Sequence, residues 1–420
     1  MHNFFKIGTI NNLSNIGLKR FPKELYQIKP LDQYNSLENP IAIMLRSHKL
    51  KNDEVGNSVS AIIRCGAGTN NIPVDKLTER GIPVFNTPGA NANSVKELVL
   101  CSLLLSSRNI IGSINHVQHL TEEKGFELAN THIEKDKKLF SGTEIKGKTL
   151  GIIGLGAIGS KVAKSASHLG MKVIGYDPKI TIESAWNLDG DKIERVNDIK
   201  YCVERSDYIS LHLPFIKGVT ENIINSEMIK SMKPGCNLLN FSRGELVDHQ
   251  SLRKYIDNRE FTGKYCTDFP NKFLQGHPQC ISIPHLGAST EEAEHNSSVI
   301  ASDTIIDFLE NGTIKNSVNF PPTLLKKRKE NTTRICIVNE NKSGMLMEIN
   351  NILFKNGFNV DQQINTSREK IAYNVVDIDK NLKSEDFTPL HNKLGEIDGI
   401  LSVRIISGND RENQSYQSSI

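Results

Sequence analysis

Short apolar runs alternate with helically spaced apolar positions along most of the chain. IAIML (41–45), VSAIIRC (59–65) and IPVFN (82–86) are bounded by polar turns, the pattern of strands buried on both faces. Val74 to Arg80 has helical spacing and stops at Gly81. Asn93 to Arg108 predicts a longer helix, and the Glu- and Lys-rich residues 121–140 predict a solvated connector after it. Alternation resumes at KGKTLGIIGLGAIGSKVAKSASHLGMKVIGYD (146–177) and runs through DYISLHLP (207–214), CNLLNFSRG (236–244), GKYCTDF (263–269) and CISIPHLG (280–287). Strands parted by helices pair in parallel, because the helix is the crossover that carries the chain back. The expected fold class is α/β, with two doubly wound parallel-sheet domains. Residues 288–312 predict another long helix ended by Gly312, and NSVNFPP with the basic run KKRK (326–329) reads as a linker.

From about 334 to 406 the rhythm changes. RICIVN, FNVDQQIN, KIAYNVVDID and GILSVRII are strand-like, and SGMLMEINNILFKNG and SEDFTPLHNKLGEI are amphipathic helices. The order β-α-β-β-α-β is that of a ferredoxin-like unit. Residues 409–420 are a polar tail, expected to be mobile.

A chain of 420 residues exceeds a single hydrophobic core, so two or three domains are required. The net charge of +3 leaves no footprint for nucleic acid or an acidic membrane surface. The seven cysteines are scattered without a Cys-x-x-Cys pair, which argues against a disulfide framework or a metal site and favours a reducing compartment. MHNFFKIGTI lacks a signal-peptide pattern, and no apolar stretch approaches the ~20 residues of a membrane span. A soluble, cytoplasmic protein is expected.

Gly154, Gly156 and Gly159 form G-x-G-x-x-G between the apolar strand TLGII and a helix whose expected apolar face is Ile158, Val162, Ala166 and Leu169. In that context the first glycine makes the tight turn, the second lets a pyrophosphate approach the backbone, and the third lets helix and strand pack closely. The amides of Ala157 and Ile158 would meet the phosphates at a helix N-terminus. Asp177 ends the next strand, where a carboxylate accepts both ribose hydroxyls and repels a 2′-phosphate. The expected cofactor is NAD.

Arg243, Asp268 and His285 fall at or just past the C-terminal ends of successive strands, the edge where ligands of open parallel sheets bind. Oxidising a 2-hydroxy acid needs a cation for the carboxylate, a base for the hydroxyl proton and an acceptor that orients the nicotinamide amide. Arg243, His285 and Asp268 suit these roles in that order.

The stretches RCGAGTNNIPV (64–74), RGIPVFNTPGANANSVKELVL (80–100), GKTLGIIGLGAIG (147–159), MKPGCNLLNFSRGELVD (232–248) and IPHLGAST (283–290) resemble the D-isomer-specific 2-hydroxyacid dehydrogenase family. The resemblance implies a discontinuous, flavodoxin-like substrate domain (1–94 and 288–320), a Rossmann NAD domain inserted in it (95–287) and a regulatory domain (330–408) similar to an ACT domain. It adds Phe241, Ser242, Leu286, Gly287 and Ala288 to the cofactor contacts. It gives Arg46 a grip on the substrate's carboxylate or phosphate, and makes Lys138 a weaker phosphate contact, to a neighbouring subunit. It implies 3-phosphoglycerate or a related 2-hydroxy acid as substrate, no metal, L-serine as effector at Asn339, Asn341 and Asn359, and a homotetramer or homodimer. Asn339 stands where a histidine is usual. A larger departure follows Asp268: the chain reads Phe269-Pro270-Asn271-Lys272-Phe273, with no acid where the family pairs a glutamate with its histidine. His285 would then act alone, or with Glu291, Glu292 or Asp268, or the chain would serve as a catalytically weak NAD(H) or serine sensor.

Overall fold

The computed structural model describes residues 4–33, 39–186, 188, 193–407 and 417–419. It divides into two compact units, residues 1–91 with 294–420, and residues 92–293.

The first unit opens with a parallel sheet in the order β2-β1-β3-β4-β5. Its strands are β1 (Phe5–Ile10), β2 (Tyr26–Pro30), β3 (Ala42–Leu45), β4 (Ala61–Arg64) and β5 (Val84–Phe85). β3 is buried at every position, which is why its sequence is continuously apolar rather than alternating.

The second unit holds seven parallel strands: β6 (Thr149–Ile153), β7 (Lys172–Tyr176), β8 (Ile193–Val196), β9 (Tyr208–Leu211), β10 (Asn237–Asn240), β11 (Tyr265–Thr267) and β12 (Cys280–Ser282). Their order, β12-β11-β10-β9-β6-β7-β8, reverses direction between β6 and β9, and at such a switch point a crevice opens outside the strand ends. Residues 121–140 differ from the expected connector, most of them being helical. Ile110–Lys124 and Phe126–Asp136 are helices, with Leu120 and Ala129 as their buried residues and His116 Nε2 3.0 Å from Asp136. Two buried positions among so many polar ones leave little periodicity to read.

The remainder of the first unit is an antiparallel sheet, β14-β15-β13-β16-β17. It comprises β13 (Thr333–Glu340), β14 (Val360–Arg368), β15 (Ile371–Ile378), β16 (Ile400–Ser407) and β17 (Gln417–Ser419), with helices Met345–Lys355 and Ser384–Gly395. The first four strands and two helices make the ferredoxin-like unit. β17 is an addition from the tail, whose residues 409–416 and 420 lie outside the described ones.

One face of this sheet joins a core with the parallel sheet of the same unit: Cys336, Val338, Tyr373 and Ile406 pack with Phe85, Phe308 and Phe320. Polar groups tie the join. Arg404 donates to the carbonyls of Leu309 and Phe308, both at 2.8 Å, with its guanidinium 4.1 Å from the Phe308 ring. Tyr373 Oη donates to Gly312 at 2.7 Å, and Arg334 Nη1 to Asn311 at 2.8 Å. The Leu309 and Asn311 carbonyls, at the end of the Glu291–Asn311 helix, are thus satisfied by side chains. No single helix among the described residues is long and apolar enough to cross a membrane.

Candidate active site

The carboxyl edge of the seven-stranded sheet gathers the residues that the sequence singled out. β6 runs straight into the glycine turn. Gly154 has φ +96°, and a Cβ there would lie 2.5 Å from the His212 carbonyl oxygen. A Cβ on Gly159 would fall 1.9 Å from the Gly154 carbonyl, so this glycine is the price of close helix–strand packing. A Cβ on Gly156 would meet nothing within 4 Å, which leaves its backbone open to a ligand. Ala157 and Ile158 complete the turn before the Gly159–His168 helix, and that helix buries Val162, Ala163 and Ala166. Leu169, expected on its apolar face, is 46% exposed; Ala163 takes that place because the helix ends at His168.

Asp177 follows β7 and bridges the loops, its Oδ2 accepting from Leu155 N and its Oδ1 from Lys179 N, both at 2.8 Å. The carboxylate is thereby held beside the glycine turn, where an adenosine ribose would lie.

Phe241, Ser242 and Arg243 follow β10. Ser242 Oγ donates to the Leu211 carbonyl at 2.8 Å, pinning this turn to β9, and Arg243 Nη1 donates to the Ser242 carbonyl at 2.6 Å. Asp268 follows β11 and is 1% exposed. Its Oδ2 accepts the Gly287 N–H at 3.1 Å, while Oδ1 is enclosed without a partner. Burial pushes this carboxyl above the usual range, opposed by the charges of His285 and Arg243 and by the Gly287 N–H. An enclosed carboxylate oxygen with no donor is what a nicotinamide carboxamide would satisfy. With the open Gly156 and the placed Asp177, the residues present fit NAD.

His285 lies past β12, exposed, with its ring 4.7 Å from that of Phe269. Leu286 is exposed beside it, Gly287 is buried with its carbonyl taken by Ser94 Oγ at 2.8 Å, and Ala288 is half-buried. Among the described residues no carboxylate hydrogen-bonds the His285 ring. In the segment lacking the acid, Asn271 Oδ1 accepts from the amides of Phe273 and Leu274, both at 3.1 Å, forming a tight local turn, and Phe269 faces the imidazole. Of the acids considered for support, Asp268 has a charge that interacts with His285. Glu291 and Glu292 begin the next helix.

His212, at the end of β9, was not singled out from the sequence, although its strand-end place is that of the other three. Its Nε2 lies 2.9 Å from Ser210 Oγ and its Nδ1 is enclosed without a partner. Burial pushes the imidazole down to about 3, so it is neutral at physiological pH. The His212 backbone sits beside the glycine turn.

In the other unit Arg46 follows β3, with Nη1 2.6 Å from Glu294 Oε1. Arg64, also missed, ends β4 and donates from Nε to the Arg46 carbonyl at 3.1 Å. Cys65, pushed up to about 12 by burial, feels both guanidinium charges, so two cations share this edge. Lys138 lies exposed in the 3-10 turn Lys137–Phe140 of the second unit.

Asn339 and Asn341 line one cavity of about 320 Å³ with Lys342, Ser343, Asn365 and Asn374. Asn339 Oδ1 accepts from Asn374 at 2.7 Å, and Asn374 Oδ1 is enclosed without a partner. Asn359 is not with them. It donates to Asp379 at 2.9 Å, beyond the Val360–Ile378 pair, at the opposite end of the sheet from the Asn339–Ala372 pair.

Residues 110–287 match the family model of the D-isomer specific 2-hydroxyacid dehydrogenase, NAD binding domain. Over 421 residues the chain is 30% identical to a protein of Dictyostelium discoideum named D-3-phosphoglycerate dehydrogenase, covering 96% of this chain and 97% of that one. A Haemophilus influenzae protein of the same name is 33% identical over 380 residues, covering 87% and 86%. Among solved structures, an NAD+-bound 3-phosphoglycerate dehydrogenase of Entamoeba histolytica aligns with a TM-score of 0.58 at 28% identity, covering 75% of this chain and 99% of that one.

Proposed function

Because this chain belongs to the D-isomer-specific 2-hydroxyacid dehydrogenase family, we propose that it oxidises 3-phospho-D-glycerate to 3-phosphohydroxypyruvate with NAD, the first step of L-serine biosynthesis. The observation that carries the reading is the buried Asp268, with one oxygen unsatisfied, beside a guanidinium and an imidazole at the ends of adjacent strands. NAD, when bound, supplies the hydride acceptor. Arg243 grips the substrate carboxylate with its planar fork. His285 takes the hydroxyl proton and, being exposed, passes it to solvent. Asp268, whose charge interacts with His285, stands in for the family's glutamate. Arg46 and Arg64 together suit the substrate's phosphate, with Lys138 as a weaker contact.

The apolar residues exposed on and beside the helical hairpin, Ile110, Ile111, Ile114, Val117, Phe126 and Leu128, support a homodimer or homotetramer with this face covered by a second copy. L-Serine is the proposed effector at the Asn339–Asn341 cavity. Asn359, far from that cavity in its own chain, would come from a second copy. Cysteines that are all unpaired support a reducing, cytoplasmic setting.

The test is NADH formation from 3-phosphoglycerate, D-glycerate and D-lactate, with and without L-serine. Turnover confined to the phosphorylated acid and suppressed by serine supports the reading, and turnover of an unphosphorylated acid moves the substrate assignment. The lack, among the described residues, of a carboxylate hydrogen-bonded to the His285 ring favours one second reading, an NAD(H) and serine sensor. It would be adopted if NADH binds but none of the acids is turned over.

A further inference from the structure

Behind Arg243 lies a buried hydrogen-bonded chain for which the reaction has no direct use. Asn240, the last residue of β10 and fully buried, clasps the turn that follows it. Its Oδ1 accepts the Ser242 N–H at 3.2 Å, and its Nδ2 donates to the Arg243 carbonyl at 2.8 Å. Nδ2 also donates to Tyr265 Oη, 3.3 Å away at the start of β11. Tyr265 is itself fully buried, and its Oη lies 3.0 Å from Nε2 of His249, the first residue of the His249–Asp257 helix.

The polarity of the chain follows from its donors. Asn240 has only N–H groups to offer Tyr265, so the phenol must accept there and send its own proton elsewhere. His249 Nε2 is one acceptor in reach, and the Thr267 hydroxyl is another. Burial holds the His249 imidazole below its ordinary range against the pull of Asp248 and Glu245, so Nε2 has a lone pair for that proton. A phenylalanine at 265 and an apolar residue at 249 would fill this space with no buried polar groups to satisfy.

We propose that His249 and Tyr265 are positioning residues for Arg243: by fixing Asn240 they hold the 241–243 turn and set the direction from which the guanidinium meets the substrate carboxylate. Neither residue touches the substrate. The proposal rests on the reading that Arg243 grips that carboxylate, so Arg243→Ala is the reference variant.

The experiment measures KM for 3-phosphoglycerate, kcat, the Kd of NADH by fluorescence and Tm on the full chain. The variants are His249→Phe, His249→Gln, Tyr265→Phe and the double variant His249→Phe/Tyr265→Phe. Losing one link of the chain raises KM by up to about tenfold, the scale of a single net hydrogen bond, with the Kd of NADH unchanged. His249→Gln, whose amide reaches the Nε2 position, recovers most of the loss. The double variant is no worse than Tyr265→Phe, because both break one chain. KM within twofold of native in both single phenylalanine variants, with Arg243→Ala impaired, overturns the proposal and leaves the site reading standing. An unchanged KM in Arg243→Ala overturns both. A fall in Tm and in NADH affinity that tracks the rise in KM, without rescue by Gln, shows packing alone and also overturns it.

Discussion

The ferredoxin-like sheet and the seven-stranded sheet both bury charge, and they treat it in opposite ways. In the first, Arg334 is 1% exposed, yet every nitrogen of its guanidinium donates. Nε and Nη2 meet the two oxygens of Asp377 at 2.7 Å each, while Nη1 and Nη2 also reach the carbonyls of Asn311 and Lys326. In the second, Asp268 is equally buried, but one oxygen has no donor. Leaving a buried acceptor unpaired costs about 1–3 kcal/mol, so a satisfied ion is a structural fastener and an unsatisfied one marks a place held for a ligand. The same contrast separates Arg404, spent on two carbonyls and a ring, from Arg243, whose guanidinium makes one hydrogen bond among the described residues, to the neighbouring Ser242 carbonyl.

Substitutions should separate the two classes. The largest effect is expected at His285: His285→Asn lowers kcat by about 10²–10⁴-fold in a steady-state assay while NADH still binds, and undiminished turnover would remove it from the mechanism. Arg334→Ala should cost about 3–5 kcal/mol of stability in denaturant unfolding, because Asp377 is left charged and buried. NADH affinity, set in the other unit, should not change. Replacing both partners with apolar residues, Arg334→Met with Asp377→Leu, should recover most of that loss; an equal loss in the double variant would mean that the carbonyl contacts, not the ion pair, dominate. Asp177→Ala should weaken NAD binding about tenfold, a loss of ~1.4 kcal/mol, and narrow the preference over NADP, read as the ratio of kcat/KM for the two cofactors.

Asp268→Asn gives the smallest effect and the sharpest contrast with Arg334. A carboxyl whose pKa is higher folded than unfolded adds stability at low pH, and that stability is lost as pH rises through the folded value. The native chain should therefore lose stability between acid and neutral pH relative to Asp268→Asn. At neutral pH the variant should be as stable or more so, by about 1 kcal/mol, while NADH affinity falls a few-fold. A variant less stable than the native chain at neutral pH would make Asp268 a fastener after all.

The site was legible in the sequence where local rules govern it. The glycine turn obeys sterics that act within a few residues, and Arg243, Asp268 and His285 are at strand ends because parallel strands deliver their carboxyl ends to one edge. His212 obeys the same rule but sits in a run whose neighbours are apolar, so its position drew no notice. Arg64 is an interior-looking residue of VSAIIRC whose role depends on its pairing with β3. What stayed hidden was long-range. The run NSVNFPP reads as a linker, yet Phe320 within it is fully buried in the core that joins both sheets of the first unit. Removing residues 330–420 would uncover that core and unpair the last carbonyls of the Glu291–Asn311 helix, so point substitutions, not truncation, are the clean probe of serine sensing.

The strand β17 has a consequence for how copies of this chain can grow. It lies along Ser402–Arg404 of β16, so that border of the sheet ends in a three-residue stub, a poor template for recruiting another backbone. The opposite border, β14, offers nine residues. Two chains that met β14 to β14 would each use the longer border described for this sheet and leave the shorter one outward. Among the described residues of this sheet, edge-to-edge addition at β14 therefore favours a pair over an open-ended array.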